Sequence, residues 1–157
     1  MAGMNPKIKD ALLKINFIER YEKLSAQFSV AKTPANDRLI YIDGEEVMEM
    51  IRAAGYSPRF NPKEKFYKIE EEHIGKYIFG IHIILRDGRV ELVWVVKENG
   101  TLLLGAPWGT YSRRLIDTNY RIKPPVFGTY ENLEVILAIV FEMYEDFKNA
   151  LQHEEIS

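Results

Sequence analysis

The chain of 157 residues contains no cysteine. That excludes a disulfide framework, a thiolate zinc site, an iron–sulfur cluster and a cysteine nucleophile, and it fits a reducing compartment. Histidine is scarce too: His73, His82 and His153 are the three, and no two stand at i, i+4, so no paired-imidazole metal motif is present. No apolar run approaches the roughly 20 residues of a membrane span, and no charged-then-apolar leader is read at the start. No Gly-x-Gly-x-x-Gly follows a strand pattern, and Gly75-Lys76 lacks the upstream glycine of a phosphate loop. Ser112, between Tyr111 and Arg113, has no nucleophile-elbow context. The expectation from these absences is a protein without catalysis, bound metal or cofactor.

What is present suits a soluble globule. Hydrophobic residues make up 46% and charged residues 28%, enough for a core. At this length folding buries about two-thirds of the chain's surface, so no covalent staple is required. Met1-Ala2-Gly3 before Met4 reads as a cloning remnant, and residues 4–157 as one domain. The net charge of −2, from 21 basic and 23 acidic residues, argues against nucleic acid as a partner. It also hides a gradient. Residues 76–128 hold 8 basic against 4 acidic residues, whereas residues 129–157 hold 1 against 7.

Helices are expected at both ends. Asn5-Pro6 is a start signal, and Ile8, Leu12, Ile15, Phe17, Tyr21, Leu24 and Phe28 extend one helix to about Gln27. Asp43 caps a second, short helix that has Glu45 and Glu46 in its first turn and Val47, Met50 and Ile51 on its buried side. Gly55 stops it. Leu39–Ile42 and Phe66–Ile69 read as short strands.

The centre is the most legible part. Asp87-Gly88 between two apolar runs is a strong hairpin signal. Pairing Arg86 with Arg89 sets Leu85 opposite Val90, Ile83 opposite Leu92, Ile81 opposite Trp94 and Phe79 opposite Val96, all on one face. At Glu98-Asn99-Gly100 two registers compete. A two-residue turn would put Leu103 and Gly105 on the Trp94 face. A three-residue loop would pair Val96 with Leu102, Trp94 with Leu104 and Leu92 with Ala106, and it is preferred because it fills the core.

A long closing helix is expected from about Thr129 to Gln152. Leu133, Ile136, Leu137, Val140, Tyr144, Phe147 and Leu151 form its stripe, flanked by Val135, Ile139, Phe141 and Met143. The opposite face carries Glu131, Glu134, Ala138, Glu142, Glu145 and Asn149 within about 80°, with Asp146 beside them and Lys148 directed elsewhere. Glutamate is a good helix former, so a solvated face is one reading of this ridge. Its single sign favours another: like charges at helical spacing repel, and tolerating that suggests a cationic partner steered toward the ridge. The fold class is α+β: two N-terminal helices, an antiparallel meander and a long C-terminal helix.

Three further clusters carry weaker signals. Glu70-Glu71-Glu72-His73 reads as a solvated strand end or loop. His82 falls on the second sheet face beside Ile78, Ile84, Val93 and Val95, where it is a half-buried structural residue or, with a partner, a general base. Trp108-Gly109-Thr110-Tyr111-Ser112-Arg113-Arg114 interleaves aromatics with arginine. Trp108, Tyr111, Arg113 and Arg114 are therefore the alternative partner-binding set, unless the two aromatics simply cap the open end of the sheet.

This plan resembles that of bacterial polymorphic-toxin immunity proteins. The resemblance rests on Val47-Met48-Glu49-Met50-Ile51-Arg52-Ala53-Ala54-Gly55-Tyr56 before a meander, and on Val126-Phe127-Gly128-Thr129-Tyr130-Glu131 opening a closing helix. In outline it covers about 120 residues. It implies a cytoplasmic, non-catalytic antidote with one cognate protein partner, a toxin domain. It carries no functional residue over, because such proteins bind through family-specific surfaces. Two alternatives stand beside it: a small-molecule-binding or enzymatic domain with a pocket near His82, Trp94 and Trp108, and an adaptor docking through the aromatic–Arg segment.

Overall fold

Asn5 starts the first helix, its side chain accepting the Lys7 amide at 2.9 Å while Pro6 sets the first turn. The computed structural model describes residues 4–153, so the reading of Met1 to Gly3 falls outside the described residues. The expected single helix is divided: α1 spans Pro6–Lys14 and α2 spans Phe17–Gln27. Asn16 between them is left-handed, at φ 55°. The reason is a phase slip in the stripe. Ile15 and Phe17 cannot both face the core of one straight helix, and asparagine tolerates the αL turn that re-aims the second half. The Arg20 guanidinium donates to the freed Ile15 carbonyl at 3.2 Å.

Leu39 to Ile42 is no strand. It is tethered by the Leu39 amide to the Phe127 carbonyl at 3.0 Å, and Tyr41 points almost wholly into solvent. Asp43 then caps α3 (Gly44–Ala53), accepting from the Glu45 amide at 3.0 Å. Gly55, at φ 97°, ends that helix as expected.

Five antiparallel strands follow in the order β1-β2-β3-β4-β5: Pro58–Asn61, Phe66–Ile74, Tyr77–Arg86, Arg89–Glu98 and Thr101–Leu104. The β3–β4 register is the one read from Asp87-Gly88, with Ile81 opposite Trp94 and Phe79 opposite Val96. β2 bulges after Ile69, so Glu70 and Glu71 together oppose Gly80 and Glu72 lands opposite Phe79, on the helix side.

The preferred register after β4 is corrected. Asn99 and Gly100 both have positive φ and form a two-residue turn that pairs Glu98 with Thr101 and Lys97 with Leu102. An irregularity then sets Val96 opposite Leu104. Leu104 is buried, as the core demanded, and Leu102 is 58% exposed. The extra residue sits inside the strand and not in the loop, so core filling alone could not place it.

The segment Trp108 to Arg114 is helical, part of α4 (Trp108–Leu115). The closing helix α5 (Tyr130–His153) lies across the sheet with its whole expected stripe buried. Helices α1 to α5 bury their apolar sides in one core on one face of the sheet. At its centre the Trp94 indole contacts Phe17, Trp108, Tyr111, Tyr144 and Phe147, stacking on Phe147 at 4.8 Å. The α+β class stands as read.

Candidate functional site

The acidic ridge is real, but it is not uniform. Glu131, Glu134, Glu142 and Glu145 are exposed and Asp146 is partly covered. Asp146 pairs with Arg20 at 2.9 Å. Glu145 accepts from the Tyr56 hydroxyl and pairs with Lys148 at 2.8 Å. Lys148 does not point away from the ridge, as the helical wheel suggested. It lies one turn after Tyr144 on the buried stripe, is only 4% exposed, and meets both oxygens of Glu72 at 2.9 and 2.8 Å. Its ammonium also sits 4.6 Å from the Tyr144 ring centre. The bulge in β2 supplies this partner by turning Glu72 toward α5.

The other end of the ridge borders a groove. Glu131 and Glu134 of α5 face Glu46 and Glu49 of α3 across a depression of about 550 Å³, within the range of ligand sites. Its floor includes Met50, Ala53, Leu137, Ala138 and Phe141. Glu49 pairs with Arg52, whereas Glu46, Glu131 and Glu134 have no ion-pair partner among the described residues. α3 was expected as a helix, but its place in this site was not. The signal was there in its run Glu45, Glu46 and Glu49, all of one sign like the ridge it faces.

The groove's width is set by packing. Tyr56, just beyond α3, stacks on Phe141 at 4.4 Å and is held through its hydroxyl by Glu145. Partial burial, then that hydrogen bond, push the Tyr56 phenol well above its ordinary pKa, so it stays a donor. Tyr130 fixes the opposite end, its hydroxyl accepting the Asp43 amide at 2.8 Å. The buried Lys148 and the groove are thus one assembly.

Two charge reversals should therefore behave differently. Glu131→Lys with Glu134→Lys relieves repulsion and should leave the melting temperature unchanged or slightly raised. Glu145→Lys removes the Tyr56 acceptor and sets an ammonium beside Lys148. It should cost about 1–2 kcal/mol, a drop of roughly 4–6 °C in a thermal melt.

The alternative set divides at the surface. Trp108 and Tyr111 are core residues, 2% and 0% exposed. The Tyr111 hydroxyl accepts the Trp94 amide at 3.1 Å and donates to the Trp94 carbonyl at 3.3 Å, and burial raises its pKa strongly. Only Arg113 and Arg114 remain accessible, Arg113 donating to Thr110 at 3.1 Å.

His82 stacks on Phe66 at 4.5 Å on the outer sheet face. Desolvation, then the Lys68 charge, hold its imidazole below the usual 6.5, against the opposing pull of Glu64 and Glu71. The unfolded chain therefore takes up this proton more readily than the folded one. Stability should be full above about pH 6.5 and fall as the pH drops below it; His82→Gln should flatten that slope in urea titrations. In the cluster Glu70-Glu71-Glu72-His73, Glu70, Glu71 and His73 border a shallow surface hollow with Arg59 and Lys68, and Glu72 belongs to Lys148. No group of three or more potential metal ligands gathers among the described residues. No described helix is long and apolar enough to cross a membrane.

Fold and site together define an α+β protein with an acid-rimmed groove between its third and fifth helices. No family model, curated protein or solved structure matches the chain.

Proposed function

We propose that this chain is a non-catalytic antidote that binds and neutralises a cognate bacterial toxin in the cytoplasm, and that the groove between α3 and α5 takes a basic segment of that toxin. The observation that carries the reading is the rim of Glu46, Glu49, Glu131 and Glu134 over an apolar floor, offset among the described residues by Arg52 alone. Four carboxylates brought together by two helices repel one another, and a cationic partner relieves that repulsion while the floor supplies contact area. Complementary charge acts first on the encounter rate, which suits an antidote that must capture its target quickly.

The test is affinity capture from the native host at low salt, with the wild-type chain and with Glu131→Lys/Glu134→Lys as bait. A single basic protein held by the wild type and lost by the variant is the expected result. Identical capture by both baits contradicts the reading.

A second reading has one observation in its favour. A cleft of about 330 Å³ brings Glu91 and Arg113 together with Tyr21, Thr110 and Trp108. Neither of the two charges is ion-paired among the described residues, and the Trp108 indole N–H is buried without an acceptor. Such a cleft suits a small ligand bearing both a carboxylate and an ammonium, which calorimetric titration with free amino acids would detect.

A further inference from the structure

The helices cover only one face of the sheet. On a half-solvated antiparallel sheet the outward positions should be polar, in alternation with the buried ones. β3 and β4 break that rule. The outward positions alternating with buried Phe79, Ile81, Ile83, Leu92, Trp94 and Val96 are Ile78, His82, Ile84, Val93 and Val95, with Gly80 between them and the charged Glu91 and Lys97 at the two ends on β4. Phe66 on β2 extends the patch by stacking on His82, and Leu102 on β5 continues it. These side chains are half-buried, with the Glu71 side chain lying beside Gly80, and Leu102 is 58% exposed. Near-continuous apolar strands of this kind belong to sheets covered on both sides.

We propose that a second copy of this chain covers the outer face, two sheets packing face to face about a two-fold axis. An isologous contact brings a surface against itself, so a surface of one sign repels its own copy. That excludes the acidic groove. Around the apolar patch, Arg59, Lys68 and Lys97 stand with Glu70, Glu71 and Glu91, Lys68 pairing with Glu71 at 3.6 Å within the chain, and Arg86 and Arg89 lie beyond at the hairpin tip. Both signs are available to pair across the axis. Two identical sheets also share one twist, which lets them pack aligned as in a β-sandwich. Three to four strands about 4.8 Å apart present an apolar area of a few hundred Å² per copy. That is the size of a weak, reversible interface.

Sedimentation equilibrium of the purified chain from about 1 to 500 μM tests this without any partner protein. The weight-average mass should rise from one copy to two across that range. Val93→Glu and, separately, Val95→Lys should hold the mass at one copy up to the highest concentration, with the melting temperature at low concentration unchanged. A wild-type chain that stays monomeric at about 500 μM overturns the proposal, as does a dimer that both variants leave intact. A monomer whose outer-face variants lose capture of a different protein overturns it as well, and assigns the face to that partner. Loss of dimerisation has no bearing on the groove, whose variants are read in association with the basic partner.

Discussion

Trp94→Ala should lower stability by about 3–5 kcal/mol and the melting temperature by roughly 10 °C or more. The residue is fully buried, and its indole fills the space between β4, α2, α4 and α5 by touching rings from each helix. Removing it leaves those rings facing a void that cannot collapse without moving three helices. A domain of ordinary stability, about 5–15 kcal/mol, loses a large share of it. Trp94→Phe should cost much less. The indole N–H has no acceptor among the described residues, so phenylalanine forfeits no hydrogen bond seen there and retains a ring against Phe147. Urea melts of the two variants check both values. An alanine variant within a degree or two of the parent would mean that the sheet does not face the helices through Trp94.

Lys148→Ala should be nearly as severe, costing about 2–4 kcal/mol. The ammonium is the only cation paired with Glu72 or Glu145 among the described residues, and its removal leaves their carboxylates together beside the Tyr144 ring. Both carboxylates retain some access to water, at 33% and 49% of their side-chain surface. That access keeps the cost below that of a fully dry pair. A double-mutant cycle with Glu72→Ala isolates the contact, and a coupling of about 1–3 kcal/mol is expected. Because Glu145 also holds Tyr56 against Phe141, Lys148→Ala should loosen the groove as well as the fold.

Local pattern was enough where one residue pair fixed the answer. Asp87-Gly88 determined the whole β3–β4 register, because a slip of one residue would have moved Trp94 to the outer face. The stripe of α5 was legible for the same reason. What the sequence hid was set by tertiary geometry. The slip at Asn16 needed the core to show why Ile15 and Phe17 must both be inside. The bulge at Glu70-Glu71 turned Glu72 inward, and only that made a buried position tolerable for Lys148. A helical wheel could place Lys148 on the stripe but not supply its partner. For Trp108 and Tyr111 the sequence left two readings open, since an aromatic–Arg segment looks alike as an exposed loop and as an amphipathic helix capping a core; their burial fits the capping one. The groove could not be read at all until α3 and α5 were side by side.

The central claim, that a basic partner enters through the acid-rimmed groove, is tested most directly by association kinetics. The captured partner is mixed with the wild-type chain and with Glu131→Lys/Glu134→Lys, at about 50 mM and about 500 mM salt, where screening shortens from above 10 Å to under 5 Å. The association rate should fall at least about tenfold in the variant at low salt, and the two rates should converge at high salt while both proteins melt alike. Equal association rates at low salt would contradict the account and leave the rim as a solvated surface.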